Sequence, residues 1–261
     1  MEDALGIAIK AAKEGGKVLR SYFDKIHIED SFEKAKNDFV SEADIKSEEV
    51  IKDILLSYDS NIGFLGEEEG GDNEGLLTWV VDPLDGTKNF LHGLPFFSIS
   101  IALLKDKNPI LGVIYEPIRE DVFHAVKGKG AYLNHKRIYV KKPNPLRLAL
   151  IATGFPFKHK DKLDPYLLIF KKVFETFSGV RRAGSAALDL AYTAKGTFSG
   201  FFEYGLSIWD IAAGSLIVEE AGGVVMDFNG DNTYLSTGNI IAGDKEVAAE
   251  LLRIISQTWK D

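Results

Sequence analysis

Two carboxylates, Asp82 and Asp85, flank the Pro83-Leu84 pair, directly after the apolar run Trp79-Val80-Val81 and directly before Gly86-Thr87. Proline disfavours helix at the residue before it, so the pattern predicts a buried strand that ends at Asp82 and turns. Gly86-Thr87 then opens a short helix or turn whose backbone N–H groups point outward. Carboxylates suit hard divalent cations such as Mg²⁺, and free N–H groups at a helix start suit phosphate. A single Asp more often serves a turn or a cap. Two of them around a proline, entering a Gly-Thr turn straight off a buried strand, are much less common by chance.

Other acids stand in places that allow them to join this pair. Glu67-Glu68-Glu69 follows a short strand, Asn61–Gly66, one element before the Asp82 strand. A run of glutamates is usually a solvated surface, but here at least one could face the same site. Asp210 opens an apolar helix after Trp209, where a plain N-cap is worth about 1 kcal/mol. Ser41-Glu42-Ala43-Asp44 has the form of a capping box, which gives Asp44 a structural role of its own. Gly184-Ser185-Ala186 also opens a helix, and Glu203 ends a Phe-rich strand where it reads as an ordinary solvent-facing acid. The histidines His27, His92, His124, His135 and His159 show no ligand spacing, and neither a Gly-x-Ser-x-Gly elbow nor a P-loop occurs.

The elements that must position these groups follow from periodicity. Residues 3–23 and the stretch after Ser41 carry helical patterns, and Gly15-Gly16 suits close helix packing. The charged segment 24–40 reads as a solvated hairpin or loop. Alternating apolar runs from Phe97 to Val140 predict an antiparallel meander. The basic, Pro-rich stretch Lys141–Leu146 marks a boundary between an N-terminal α+β domain, 1–143, and a C-terminal α/β domain, 144–261. Beyond it come a strand at 148–153, a helix at 164–177, a strand at 179–183 and helices from Ala186 and Asp210. Strands at 223–228 and 239–242 and a helix at 244–258 complete the chain.

Composition narrows the function. At 261 residues with 45% apolar residues, the chain reads as an ordinary globular protein with ample core. Its net charge of −8 leaves no basic field for non-specific nucleic-acid binding. An acidic protein that handles phosphate needs cations to offset the repulsion, which favours a metal-dependent site. The absence of cysteine removes disulfides, thiolate nucleophiles and thiolate metal sites. No signal peptide or membrane span is expected, and a cytoplasmic location fits.

Four blocks, taken in order, resemble the inositol monophosphatase family of Mg²⁺-dependent, lithium-sensitive phosphatases. They are Gly66-Glu67-Glu68; Asp82-Pro-Leu-Asp-Gly-Thr87 with Asn89-Phe90; Gly184-Ser185-Ala186; and Trp209-Asp210 with Ala213-Gly214 and Glu220-Ala-Gly-Gly223. The resemblance spans essentially the whole chain. It implies that Glu67, Asp82 and the Leu84 carbonyl hold one Mg²⁺, that Asp82, Asp85 and Asp210 hold a second, and that Glu67 touches a third, weaker ion. Mn²⁺ is a possible substitute. Gly86 and Thr87 amides would cradle phosphate. The Thr87 hydroxyl, linked to Asp44, would position the attacking water. Gly184, Ser185, Ala186 and Glu203 would line the alcohol side, and Lys36 would lie in a loop near the site. Two metals roughly 4 Å apart would serve the attacking and departing oxygens of an in-line displacement.

The implied fold is a five-layered αβαβα sandwich of mixed α+β and α/β character. The implied protein is a homodimer, in some members a tetramer, acting on a small phosphate monoester such as inositol 1-phosphate, with no membrane or nucleic-acid partner. Two departures stand out. Lys88 replaces a second Thr found in many members, and Arg181-Arg182 resembles the branch that also hydrolyses fructose 1,6-bisphosphate. A bisphosphonucleoside phosphatase and a non-catalytic partner of protein or RNA machinery are more distant alternatives.

Overall fold

The computed structural model describes residues 1–26, 31–35, 38–71 and 75–259. The chain begins with α1 (Glu2–Tyr22), β1 (Phe32–Ala35), β2 (Asp38–Val40), α2 (Glu42–Tyr58), β3 (Gly63–Gly66), β4 (Gly70–Gly71), β5 (Leu77–Asp85) and α3 (Thr87–Leu91). The meander follows as β6 (Ser98–Lys105), β7 (Asn108–Glu116), β8 (Asp121–Val126), β9 (Gly130–Leu133) and β10 (Lys136–Ile138). The remainder is β11 (Leu150–Thr153), α4 (Leu163–Thr176), β12 (Gly179–Arg181), α5 (Ala186–Ala194), β13 (Gly200–Glu203), α6 (Ile208–Glu220), β14 (Val224–Met226), α7 (Tyr234–Thr237), β15 (Ile240–Gly243) and α8 (Lys245–Ser256).

Two sheets carry the architecture: eight strands in the order β10-β9-β8-β7-β6-β5-β3-β4, and five in the order β12-β11-β13-β15-β14. Alternate residues of each strand point to opposite faces. On the larger sheet, Trp79, Val81, Ile99 and Ile101 pack against α1 and α2, while Val80, Ala102 and Ile114 face α5 and α6. On the smaller sheet, Ala152, Phe201 and Ala242 face α5 and α6 from the other side, and Ile151, Phe202 and Ile241 cover α4 and α8. The result is the five-layered αβαβα sandwich. Small residues bring the outer layer close: a Cβ at Gly15 would lie 2.8 Å from Ile51, and one at Gly16 2.4 Å from Tyr115.

Two local readings change. β5 does not end at Asp82 but continues through Pro83 and Leu84 to Asp85. A register shift against β6 between Asp82 and Asp85 accommodates the proline, which has no N–H to give to the ladder. Helix α6 starts at Ile208, behind Ser207, so Asp210 is the capping-box partner rather than the cap. The charged segment after α1 contains an antiparallel pair, β1 with β2, as the hairpin reading expects; Lys36 lies outside the described residues.

α6 is buried along most of its length between the sheets, and Gly112 of β7 lets it approach: a Cβ there would lie 2.7 Å from the Ala213 carbonyl oxygen and 3.0 Å from its Cα. Backbone cannot swing away as a side chain can. Gly112→Val is therefore expected to lower stability by about 1–3 kcal/mol, read as a lower denaturation midpoint with an unchanged m-value.

Candidate metal and phosphate site

The cleft of interest lies where β5, the α3 turn and the starts of α5 and α6 meet. Asp82 is buried, and its Oδ1 accepts from the Leu84 N–H at 2.9 Å, closing the bulge. Asp85, at the end of β5, accepts through Oδ2 from Ser185 Oγ at 2.5 Å and from the Ala187 N–H at 2.7 Å. Helix α5 thus directs its N-terminal turn at this carboxylate, which its dipole stabilises. Asp210, in the first turn of α6, accepts through Oδ2 from the Ser207 N–H at 2.7 Å. One oxygen from each of Asp82, Asp85 and Asp210 lies within 4.8 Å of the others.

The second half of the site is the turn after β5. Gly86 has φ +99°, and a Cβ there would lie 3.2 Å from the carbonyl oxygens of Gly184 and Phe96, so neither conformation nor space admits a side chain. Thr87 Oγ1 lies 3.2 Å from Asp44 Oδ1 and 3.1 Å from the Leu84 carbonyl. Asp44 uses its other oxygen, Oδ2, to accept from the Ser41 N–H at 2.9 Å and Ser41 Oγ at 2.6 Å. The capping role and the site role therefore coexist on one carboxylate. Asn89 Nδ2 donates to Phe96 O at 2.7 Å and to Ala183 O at 2.9 Å, fastening the loop before Gly184 to the turn after β5.

Like charges dominate the electrostatics. Burial pushes Asp82 well above the usual carboxylate range, and the charges of Glu67, Asp85 and Asp210 add to it. Burial and Asp210 push Asp85 up to about 7, against hydrogen bonds from Ser185 and Ala187. Burial pushes Glu203 to about 8, although the Arg182 guanidinium pulls the other way. These groups are hard oxygen donors, and a divalent cation relieves the repulsion among them. The donor set fits Mg²⁺.

Most of the residues singled out in the sequence line this cleft: Glu67, Leu84 and Thr87 on the β5 side, Gly184, Ser185 and Ala186 on the α5 side. Of the glutamate run, Glu67 faces the cleft, while Glu69 pairs with Lys52 and the N–H groups of Glu68 and Glu69 donate to buried Glu48. Glu203, which reads as solvent-facing from its strand alone, lines the cleft, as the resemblance implies. It is buried against the cleft rather than solvent-facing, because β13 lies between β11 and β15 and its end opens inward. Gly154 makes room for it; a Cβ there would fall 1.8 Å from Glu203 Oε1. The arginine pair separates: Arg182 lines the cleft, whereas exposed Arg181 folds onto the Val180 carbonyl at 3.1 Å.

Two contributors were not found in the sequence. The loop Thr153–His159 forms a wall, with Lys88 Nζ 4.2 Å over the Phe157 ring. Asp189 also lines the cleft and is buried. It stands four residues after Ser185, one helical turn on, and that spacing is the signal that would have found it.

Comparison with known proteins agrees with this geometry. Residues 1–260 match the model of the inositol monophosphatase family. The Haemophilus influenzae protein named Nus factor SuhB is 42% identical over 259 residues, covering 98% of this chain and 96% of the relative. The crystal structure of extragenic suppressor protein suhB from Bartonella henselae superposes with a TM-score of 0.92 at 40% identity, covering 97% of this chain and 98% of that one. Inositol monophosphatase from Anabaena gives 0.89 at 35% identity, covering 99% and 97%.

The raised carboxyls set a pH dependence. Folded Asp85 and Glu203 hold protons near pH 7 and 8 that the unfolded chain, with ordinary values of 3.8 and 4.5, has released. Their stabilisation is complete below the unfolded values and is lost as pH rises through the folded ones. Metal-free protein should therefore melt progressively lower from about pH 5 to about pH 9, and saturating Mg²⁺ should restore about 2–4 kcal/mol at the alkaline end. Asp82→Asn should weaken the Mg²⁺ effect. Thermal melts with chelator and with Mg²⁺ read both, and a melting temperature indifferent to Mg²⁺ would contradict the metal site.

Proposed function

The chain belongs to the inositol monophosphatase family, and from that premise we propose that it is a metal-dependent phosphatase of polyol phosphate monoesters, with inositol 1-phosphate as substrate. The observation that carries the reading is the convergence of Asp82, Asp85, Asp210 and Thr87 in one cleft, with Asp44 bonded to the Thr87 hydroxyl. Glu67, Asp82, the Leu84 carbonyl, Asp85 and Asp210 would hold two or three Mg²⁺ ions, or Mn²⁺ in their place. Bound there, the cations supply Lewis-acid stabilisation of phosphoryl charge and make water a better nucleophile.

The chain's own groups do the rest. The backbone N–H groups of Gly86 and Thr87 bind the phosphate oxygens from a turn that no side chain can obstruct. The Thr87 hydroxyl donates to Asp44, which leaves its lone pairs to accept from the attacking water and fixes that water in line with the scissile bond. The proton passes from water through Thr87 to Asp44, and Glu67, on the same β5 side, helps orient the water. Gly184, Ser185, Ala186 and Glu203 hold the alcohol half. The chain has no cysteine, and nothing in this scheme requires a covalent enzyme intermediate.

A dual specificity that includes fructose 1,6-bisphosphate is supported by Arg182, whose guanidinium lines the cleft and can pair bidentately with a second phosphate. The name Nus factor, carried by a relative at 42% identity, supports a further role as a protein or RNA-machinery partner. A purely non-catalytic partner would release no phosphate, which separates the two readings.

Phosphate release from inositol 1-phosphate should require Mg²⁺. Thr87→Ala should lower kcat by about 10²–10⁴ with KM nearly unchanged, because the N–H that grips phosphate survives while the hydroxyl that orients water is lost. A raised KM with kcat intact would contradict the assignment. Arg182→Ala should lower kcat/KM for fructose 1,6-bisphosphate by about ten- to a hundredfold and spare inositol 1-phosphate, while Arg181→Ala changes neither. Equal losses on both substrates would place Arg182 in packing instead.

A further inference from the structure

Asp189 is a carboxyl without a structural reason to be where it is. Only 1% of it is exposed, it lines the cleft, and among the described residues its Oδ1 has no hydrogen-bond partner and no ion pair reaches it. Its neighbours on α5, Ala187, Leu188, Leu190 and Ala191, are apolar and fully buried. A buried, unpartnered carboxyl costs stability, and an apolar residue at that position would pack without the cost. The partner that compensates it is to be sought in the cleft.

The chemistry of that partner follows by elimination. A phosphate is disfavoured, since Asp189 shares the cleft with Glu203 and Asp85, and burial first, then the charges of those two acids, weigh against further negative charge, with Arg182 opposing them more weakly. A shared metal is not indicated, because the carboxylate oxygens close enough to hold one ion are those of Asp82, Asp85 and Asp210, without Asp189. Uncharged donors remain, and hydroxyl groups are those a polyol brings. Asp189 and Glu203 both present acceptors, and two carboxyls together can take hydrogen bonds from two adjacent hydroxyls of one ring.

We propose that Asp189 is a specificity-determining residue that, with Glu203, clamps neighbouring hydroxyls of the substrate's alcohol half. This rests on the phosphatase reading above and adds Asp189 to the residues that hold the alcohol half. Glu203 stands at the end of β13 and Asp189 one turn into α5, so the clamp is built from rigid elements. The same α5 presents Ser185 and the Ala187 N–H to Asp85, so one helix binds the metal-side acid and the alcohol.

The test compares inositol 1-phosphate with p-nitrophenyl phosphate, which has no hydroxyls to clamp, in the full chain with Mg²⁺. Wild type should release phosphate from both. Asp189→Ala should lower kcat/KM for inositol 1-phosphate about ten- to a hundredfold and leave p-nitrophenyl phosphate within about twofold. Inhibition by inorganic phosphate should be unchanged, and the melting temperature should not fall. Asp189→Asn, which keeps one acceptor oxygen, should show a smaller loss in the same direction and decides the matter if the alanine variant does not fold. Equal losses on both substrates, or no loss on either, would overturn the clamp and leave the phosphatase reading standing. No phosphate release by wild type from either substrate would overturn both.

Discussion

The structure is organised around the mutual repulsion of three clustered carboxylates, Asp82 buried and Asp85 and Asp210 half-buried. Asp82, Asp85 and Asp210 come from two elements far apart in sequence, yet their oxygens converge within 4.8 Å. No fold gains stability from that convergence alone; burial and like charge both oppose ionisation. Each carboxylate is instead held by a local contact: a bulge amide for Asp82, the first turn of α5 for Asp85, the Ser207 amide for Asp210. A divalent cation bound among them would relieve that repulsion.

Meeting that constraint explains the layering. α5 and α6 must present their N-termini to the end of β5, and this is possible only if both helices lie between the sheets. Their near-uniform burial follows. α6 is apolar on all sides, as a helix covered from both faces has to be. Gly112 and Gly214 allow it to approach the larger sheet and α5 within backbone distance. The outer helices, α1 and α2 on one side and α4 and α8 on the other, show the ordinary one-sided pattern.

Much of this was legible in the chain. Asp82 and Asp85 announce themselves because the residues that bind are adjacent to the residues that bend the backbone. The capping box at Ser41 is equally local, and Asp44 reads correctly as its cap partner, with its second oxygen left to meet the Thr87 hydroxyl. What failed was non-local. The effect of Pro83 on helix says nothing about a bulge, which depends on the partner strand β6. Glu203 looks solvent-facing until β11 and β15 enclose its strand. Arg181 and Arg182 are neighbours on extended chain and must point to opposite sides, but which one faces the cleft depends on the sheet. Asp189 lay at a readable spacing from Ser185, yet nothing in a helix sequence says which face will meet a cavity.

The turn at Gly86 divides the cleft into two kinds of wall. One wall is main chain, locked at φ +99° and tied through Asn89 to the loop before Gly184. The other is assembled from side chains, and Gly154 is the point where the addition of a single carbon would displace Glu203. Substitution can therefore do little to reshape the main-chain wall, while the side-chain wall stays open to change. A scaffold built this way separates what is fixed by backbone from what a single codon can retune.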